Sequence, residues 1–465
     1  AQAILATNAD SSWSVAAICF QVGTSHMLRS KGLRGHLALA AAAAAVSGDW
    51  YYCNAKRSMR LQHSLTESAD LHARSRGTRV RLVQVMHRHG ARTPLKLLVG
   101  MPEPDSKAGQ AIWGQCRRNP KEAILAQNSS SNSLTSDAVQ STNSTSKYGP
   151  CGRGQLTKLG EEEMTNLGKF LRKQYVQHDS ILPPEIPQNG ELEVISTGTA
   201  RTILSALALL NGLYPDMDEK ERVERIQVPH PDKTTEILFA NYPRCDRLRQ
   251  LFHEKKAAVL QEPLFEETRA QLLREGWHGE WESSTLIMAG DPLRSLRGHG
   301  LPLPEGMSVA LADTVDHCGH QLVESVQGQG DEEVLRLSAG LFLAEMEDRI
   351  NAVVKGQLAP RLVLLSAHDV SIGTCLQAFN VPTHRWPDFA SSIHLELLQD
   401  ASGDWHVRVA FFDGSPPPSG KATAEKLFTL SAWQAQVRQF RLSEAEYTAA
   451  CQLAPGVASP PPAAF

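Results

Sequence analysis

The sequence has no apolar run approaching the ~18–20 residues that a membrane-crossing helix needs; even Leu37–Val46 falls short. Nor does either charge predominate: 47 Lys and Arg stand against 50 Asp and Glu, a formal net charge of −3. A nucleic-acid-binding surface driven by bulk positive charge is thereby excluded, and any bound anion must be held by a local cluster. The eight cysteines include no C-x-x-C pair, so the usual signature of zinc ribbons and thioredoxin-like redox sites is missing. Their wide spacing permits a few disulfides without requiring any, and buried thiols account for them equally well. What is present is 42% apolar and 21% charged residue over 465 positions. That is the composition of a soluble globular protein with a full core, long enough for roughly three average domains or for one large α/β domain.

Three stretches depart from this composition. From Ser11 to Gly48 there is no acidic residue, and Arg29, Lys31 and Arg34 precede the apolar stretch from Leu37 to Val46. A basic start, a short apolar run and small residues near Ala45 and Ser47 suit a secretory signal; the lack of acid suits an organelle transit peptide equally well. Residues 1–78 are therefore expected to form a targeting or disordered extension. Between Asn128 and Ser146, fourteen of nineteen residues are Ser, Thr or Asn. Such a tract buries too little apolar surface to order itself, which makes 98–152 an expected mobile insertion, with glycosylation sequons at Asn128 and Asn143. The Pro- and Ala-rich end, 453–465, is expected to be a disordered tail.

Between these stretches the pattern alternates strand and helix. Arg79–Met86 alternates basic and apolar residues before turning wholly apolar, as a buried strand does. Thr157–Val176 has helical spacing; Glu191–Ser196 is a strand and Thr199–Leu213 a helix. Leu362–Ser366 is a buried strand followed by a helix over Ser371–Phe379, and His394–Leu398 with His406–Phe412 form a strand pair. About 215–330 is mostly helical. The alternation predicts an α/β fold with a largely parallel central sheet flanked by helices.

Three strand-to-helix junctions carry unusual polar residues: Arg88-His89-Gly90-Ala91-Arg92-Thr93-Pro94, then Ser196-Thr197-Gly198-Thr199-Ala200-Arg201-Thr202, then Ser366-Ala367-His368-Asp369-Val370-Ser371. Ligands of open α/β sheets bind beyond the carboxyl ends of the strands. If these strands lie side by side, Arg88, Arg92, Arg201, His89, His368 and Asp369 meet in one pocket. Three forked guanidiniums match a tetrahedral dianion, which favours phosphate over carboxylate. Gly90 permits close backbone approach beside His89. A histidine in such an anion pocket acts as nucleophile, base or donor, and an aspartate beside it is placed to give a proton to a departing alcohol oxygen. Phosphoryl transfer rests chiefly on positioning and charge stabilisation, which this set supplies without a metal.

The first junction resembles the RHGxRTP signature of the histidine acid phosphatases, branch 2 of the histidine phosphatase superfamily. Ser196-Thr197 with Arg201-Thr202, and His368-Asp369, match that family's second and third elements in order and approximate spacing. The resemblance implies a phosphoglycerate mutase-like (histidine phosphatase) fold with a helical cap over about 215–330 and a catalytic domain spanning 79–452. It implies a metal-independent acid phosphatase with no cofactor, in which His89 forms a phosphohistidine. Arg88, Arg92, Arg201 and His368 would bind the phosphoryl oxygens, and Asp369 would protonate the leaving group. Gly154–Gly160, Asn241–Cys245 and His384-Arg385-Trp386-Pro387 are similar to stretches of the family's lysophosphatidic acid phosphatase branch, which implies a lysophospholipid substrate and a mitochondrial address beside the secretory one. Sugar phosphates or other polar phosphomonoesters are the alternative substrates, and a catalytically silent phosphate- or partner-binding module is the alternative class. Many family members carry threonines where this chain has Val370-Ser371; Ser371 is expected to cap the following helix.

Other motifs fall away. Gly414–Lys421 imitates a P-loop, but five residues separate its glycines and its prolines lack the N–H groups that cradle phosphate. Gly149–Gly154 lacks a preceding buried strand and reads as a turn. His317-Cys318-Gly319-His320 with Glu324 carries metal-ligand residue types, yet Val315, Leu322 and Val323 fit an ordinary helix. Arg88 and Arg92 disfavour a cation at His87 and His89.

Overall fold

The computed structural model describes residues 78–98, 100–117, 148–187, 189–227, 236–277, 283–328, 330–382, 386–416 and 420–463. The expectations for the N-terminal stretch, for the Ser/Thr/Asn tract with Asn128 and Asn143, and for His384 and Arg385 lie outside them. In chain order the strands are β1 (Arg79–Arg88), β2 (Gln115–Arg117), β3 (Tyr148–Pro150), β4 (Leu192–Ser196), β5 (Ile226–Gln227), β6 (Leu362–Ala367), β7 (Ser392–Gln399), β8 (Trp405–Phe412) and β9 (Ala424–Thr429). The helices are α1 (Lys107–Trp113), α2 (Lys158–Leu171), α3 (Ala200–Leu213), α4 (Glu219–Arg225), α5 (Asp246–Val259), α6 (Pro263–Arg274) and α7 (Ser283–Gly298), followed by α8 (Val309–Val326), α9 (Glu332–Val354), α10 (Asp369–Ala378), α11 (Leu430–Arg438) and α12 (Glu444–Ala450).

The main sheet runs β5-β4-β6-β1-β7-β8-β9. Strands β5, β4, β6 and β1 are mutually parallel, and β7, β8 and β9 continue antiparallel. The sheet is mixed, and all three polar junctions leave its parallel half. β1 is exposed at Arg79 and Arg81 and wholly buried from Leu82 onward, as expected for a central strand covered on both faces. Alternate residues serve the two faces. Leu82 and Met86 pack with Leu343 and Met346 of α9 and Ile372 and Leu376 of α10; Val83 and Val85 pack with Met164 and Leu167 of α2 and Leu207 and Leu210 of α3. A further core, built from Phe252, Phe265, Leu293, Leu311, Val315 and Leu322, holds α5–α8 together as a helical layer of its own.

Several expectations change. The helix begun at Thr157 does not run as one α-helix to Val176: α2 ends at Leu171 and a π-helical segment, Arg172–His178, follows. There Tyr175 bonds Glu396 Oε1 at 2.7 Å and His394 Nδ1 at 3.0 Å, a non-local pair that local periodicity does not reveal. α10 starts at Asp369, two residues earlier than expected. Ser371 caps the helix as expected, from the third position of its first turn, where its hydroxyl accepts the His368 N–H at 3.4 Å in a capping box. The insertion is ordered at both ends: α1, β2 and β3 occupy them, and a Cys116–Cys151 disulfide joins the β2–β3 ribbon. A second disulfide, Cys245–Cys451, ties α5 to the C-terminal segment, while Cys318 and Cys375 are free and buried. The tail forms no helix or strand through residue 463, yet it lies along α5. There Ser459 Oγ donates to Asp246 at 2.7 Å, and His253 Nε2 meets the Pro461 carbonyl at 3.1 Å. Among the described residues no helix is long and apolar enough to cross a membrane.

Candidate active site

Register brings the junctions level. His87 pairs with Ser366 and Ser196 pairs with the same Ser366, so β1, β4 and β6 end side by side. The turn after β1 is then fixed group by group. Arg88 N–H donates to the Ser391 carbonyl at 2.8 Å and His89 N–H to the Ala367 carbonyl at 3.1 Å. Gly90 N–H donates to Ser205 Oγ at 3.1 Å, and Ala91 N–H to Glu163 Oε2 at 2.7 Å. A Cβ on Gly90 would sit 2.3 Å from the Gly160 carbonyl oxygen, so only glycine allows α2 to approach the turn. Thr93 Oγ1 donates to the Gly152 carbonyl at 2.7 Å, and Arg92 bridges Leu156.

The six polar side chains converge. Arg88 Nη2 pairs with Asp369 Oδ2 at 2.8 Å, and its Nη1 donates to the Pro387 carbonyl at 2.7 Å. Its guanidinium lies 4.1 Å from the Phe389 ring centroid. Arg92 Nη2 pairs with Asp291 Oδ1 at 2.5 Å, and Asp291 Oδ2 accepts Leu95 N–H at 2.6 Å. Arg201 Nη2 meets His368 Nδ1 at 3.4 Å, His368 Nε2 meets Thr197 Oγ1 at 3.0 Å, and the His89 and His368 rings are 5.7 Å apart. Arg88, His89, Arg92 and His368 are buried. Three guanidiniums face two carboxylates here, an excess of positive charge in a low-dielectric pocket. Among the described residues each of the three leaves a buried Nε without a partner. Such a local cluster has the charge and the donors to hold an anion.

Protonation follows from the partners. Gly90 O, 2.9 Å from His89 Nδ1, only accepts, so Nδ1 carries the hydrogen and Nε2 the lone pair. Thr197 Oγ1 gives its proton to Thr202 Oγ1 at 2.8 Å, so it accepts from His368 Nε2–H, and His368 Nδ1 accepts from Arg201. Burial, then the charges of Arg201 and Arg88, hold His89 well below its ordinary value. Burial, then Arg201, lowers His368 to about 3. Burial lowers Arg88 and Arg201 to about 10, still protonated at neutral pH. Burial raises the Asp369 carboxyl, but Arg88, Arg92 and the Trp386 N–H outweigh it and hold it well below the usual carboxylate range. The site at rest is two neutral imidazoles, three cations and an ionised aspartate. Nucleophilic attack on a phosphoryl group is the chemistry these states favour.

These features match a known pattern. The family profile described as "Histidine phosphatase superfamily (branch 2)" matches residues 79–275, the stretch from β1 through α6. Over those residues the chain is similar to this superfamily. A lysophosphatidic acid phosphatase type 6 from Bos taurus is 28% identical over 80% of this chain and 86% of its own length. A probable acid phosphatase from Schizosaccharomyces pombe is 26% identical over 70% of this chain and 73% of its own. In fold, the Citrobacter braakii phytase covers 81% of this chain and all of its own with a TM-score of 0.53 at 14% identity. The chain is a phosphoric monoester hydrolase.

The structure brings together all six residues singled out in the sequence. Thr197 and Thr202 of the second junction stand behind His368, and the structure adds residues that sequence reasoning missed: Asp291 on Arg92, Phe389 beneath Arg88, Glu163 on the Ala91 amide, and Trp386, whose Nε1–H donates to Asp369 Oδ2 at 2.9 Å. Trp386 was visible only as part of a family-like stretch; Asp291 and Glu163 carry no local signal. The His317–His320 motif lies on α8, where His320 Nε2 pairs with Glu324 at 2.9 Å and Cys318 packs against Thr268. His87 Nδ1 meets only its neighbour's carbonyl, Arg88 O, at 3.3 Å.

Proposed function

We propose that the protein hydrolyses phosphomonoesters through a phosphohistidine on His89, with no metal in the chemical steps. The observation that carries this reading is the neutral His89, its lone pair on Nε2, set among Arg88, Arg92 and Arg201. The arginines offset the charge of a bound phosphoryl dianion, so the imidazole attacks without repulsion. A bond forms between Nε2 and phosphorus, the bond from phosphorus to the ester oxygen breaks, and Asp369 passes its proton to that oxygen. Water then attacks phosphorus, the nitrogen–phosphorus bond breaks, and the water's proton returns to Asp369. The three arginines hold the phosphoryl oxygens throughout, and His368 joins them when the bound dianion draws a proton onto its Nδ1. Asp369 is ionised at rest because the arginine charge is unshared; a bound dianion takes up that charge and lifts the carboxyl toward protonation.

The substrate we propose is lysophosphatidate, cleaved to monoacylglycerol and phosphate. The names of the lysophosphatidic acid phosphatase relatives support it, as does a cavity of about 580 Å³ lined mainly by apolar residues, among them Met101, Ile112, Trp277 and Leu296, together with the carboxylates Glu275 and Glu305. Leu296 lies on α7, the helix that presents Asp291 to Arg92, roughly 7–8 Å further along the axis. An acyl chain fits an apolar lining of this kind. We further propose that residues 79–452 form the catalytic domain with α4–α8 as its cap, and that the protein resides in an organelle, mitochondrial or secretory. Glycans on Asn128 or Asn143 would decide for secretion.

Purified protein is expected to hydrolyse p-nitrophenyl phosphate in EDTA at mildly acidic pH, and His89→Ala to abolish that activity; a metal requirement, or activity surviving the substitution, contradicts the mechanism. Lysophosphatidate should be turned over faster than phosphorylated sugars at equal concentration. A preference for sugars ends the lipid reading and leaves the chemistry intact.

A further inference from the structure

Asp369 is held by a residue that lies outside the three junctions. Its Oδ2 takes both the Arg88 Nη2 ion pair at 2.8 Å and the Trp386 Nε1–H bond at 2.9 Å, while Oδ1 accepts the Val370 N–H at 2.9 Å. Of the two side-chain donors, only the indole is uncharged. The indole is itself gripped by the cap. Arg294 of α7 lies 4.2 Å from its ring centroid and is anchored to Asp316 of α8 at 2.5 Å. His320 of α8, paired with Glu324, packs against the ring edge-on with centroids 6.0 Å apart. The next residue, Pro387, gives its carbonyl to Arg88 Nη1 at 2.7 Å. The Trp386-Pro387 pair thus contacts both members of the Arg88–Asp369 ion pair, and two cap helices fix its position.

We propose that Trp386 is a positioning residue for the general acid, and that Arg294 and His320 serve to hold the indole in register with Asp369. Arg88 has two tasks that compete for its charge, pairing with Asp369 through Nη2 and offering its unpartnered Nε to a phosphoryl oxygen. When a phosphoryl dianion takes up the Arg88 charge, the Asp369 carboxyl feels that cation less but keeps the indole N–H on Oδ2. A neutral donor steers the carboxyl toward the leaving oxygen and opposes its protonation far less than a cation does. A cation–π contact within a largely desolvated site is strong enough to restrain the ring. The histidine-containing motif on α8 thereby gains a use: it forms one wall of the indole's seat.

This role rests on Asp369 acting as the proton donor, and the test separates the two claims through leaving-group dependence. In the full chain, kcat/KM is measured with p-nitrophenyl phosphate, whose phenolate departs without help, and with β-glycerophosphate, whose alkoxide needs a proton. Asp369→Asn is expected to slow the glycerol ester far more than the nitrophenyl ester. Equal slowing would remove the acid role and this inference with it. Trp386→Phe keeps the ring and deletes the N–H. It is expected to lose about tenfold on β-glycerophosphate and at most threefold on p-nitrophenyl phosphate, with no additional loss in the Asp369→Asn background. Arg294→Met frees the ring while leaving its N–H, and should show the same selectivity at smaller amplitude. Selective slowing by Asp369→Asn together with equal losses on both esters in Trp386→Phe and Arg294→Met, or additive losses in the double variant, would overturn the positioning role alone.

Discussion

Three buried histidines at the end of β1 and β6 share one electrostatic fate. Burial lowers His87 to about 4 and His368 to about 3, and holds His89 well below its ordinary value. Between pH 6.5 and about 4 the unfolded chain therefore binds protons that the folded chain refuses. Stability is fully present above pH 6.5 and is lost as pH falls toward 4, by about 3 kcal/mol for His87 alone. His87→Gln removes one such group without touching the reacting atoms. Its Tm, followed by calorimetry, should fall less steeply from pH 6.5 to 4 than that of the parent. Parallel curves would show that His87 does not titrate as its burial implies. Legibility at this scale had a physical limit. Arg88, His89, Arg92 and Asp369 stood out because polar residues ending apolar strands violate the local pattern. Asp291 and Trp386 obey theirs, and their partners Arg92 and Asp369 lie on other elements, reached only through folding.

At the level of elements, the β2–β3 ribbon clamps the turn that carries His89. The segment after β3 gives the Gly152 carbonyl to Thr93 Oγ1 at 2.7 Å, accepts the Thr93 N–H on the Gln155 carbonyl at 3.0 Å, and sends the Thr157 N–H to the Ala91 carbonyl at 3.0 Å. The Cys116–Cys151 disulfide closes the ribbon directly beside it. Removing that bridge as Cys116→Ser with Cys151→Ser is expected to lower kcat/KM several-fold on every phosphomonoester. Removing Cys245–Cys451, which ties α5 to the C-terminal segment, is expected to lower Tm with kcat/KM nearly unchanged. Kinetics and melting curves on both pairs check this, and the reverse assignment of effects would contradict it. Long periodic elements such as β1, α2 and α3 were readable from sequence to within a few residues. The short ribbon strands, β5 and the π-helical segment were not, because non-local pairing rather than composition maintains them.

For the molecule as a whole, near-neutral charge left anion binding to a local cluster, and the candidate cluster sits beyond the ends of three parallel strands, β1, β4 and β6. Among the described residues most of the length goes to one seven-stranded sheet and its helices, the β2–β3 ribbon and the helical layer of α5–α8. Resemblance in fold to a phytase at 14% identity leaves the substrate open, since a shared scaffold hosts many specificities. On the proposed reading the cavity bounded by Leu296 takes the acyl chain. Leu296→Trp fills that space and should raise KM for long-chain lysophosphatidate at least fivefold while leaving p-nitrophenyl phosphate kinetics unchanged; equal effects on both would place the acyl chain elsewhere. All of this depends on the covalent step. Full-length protein mixed with labelled phosphomonoester and quenched in alkali within milliseconds should carry phosphate on the peptide containing His89, and mild acid should release it. Label on another residue, or turnover with no acid-labile label during the steady state and activity retained by His89→Ala, would contradict the account.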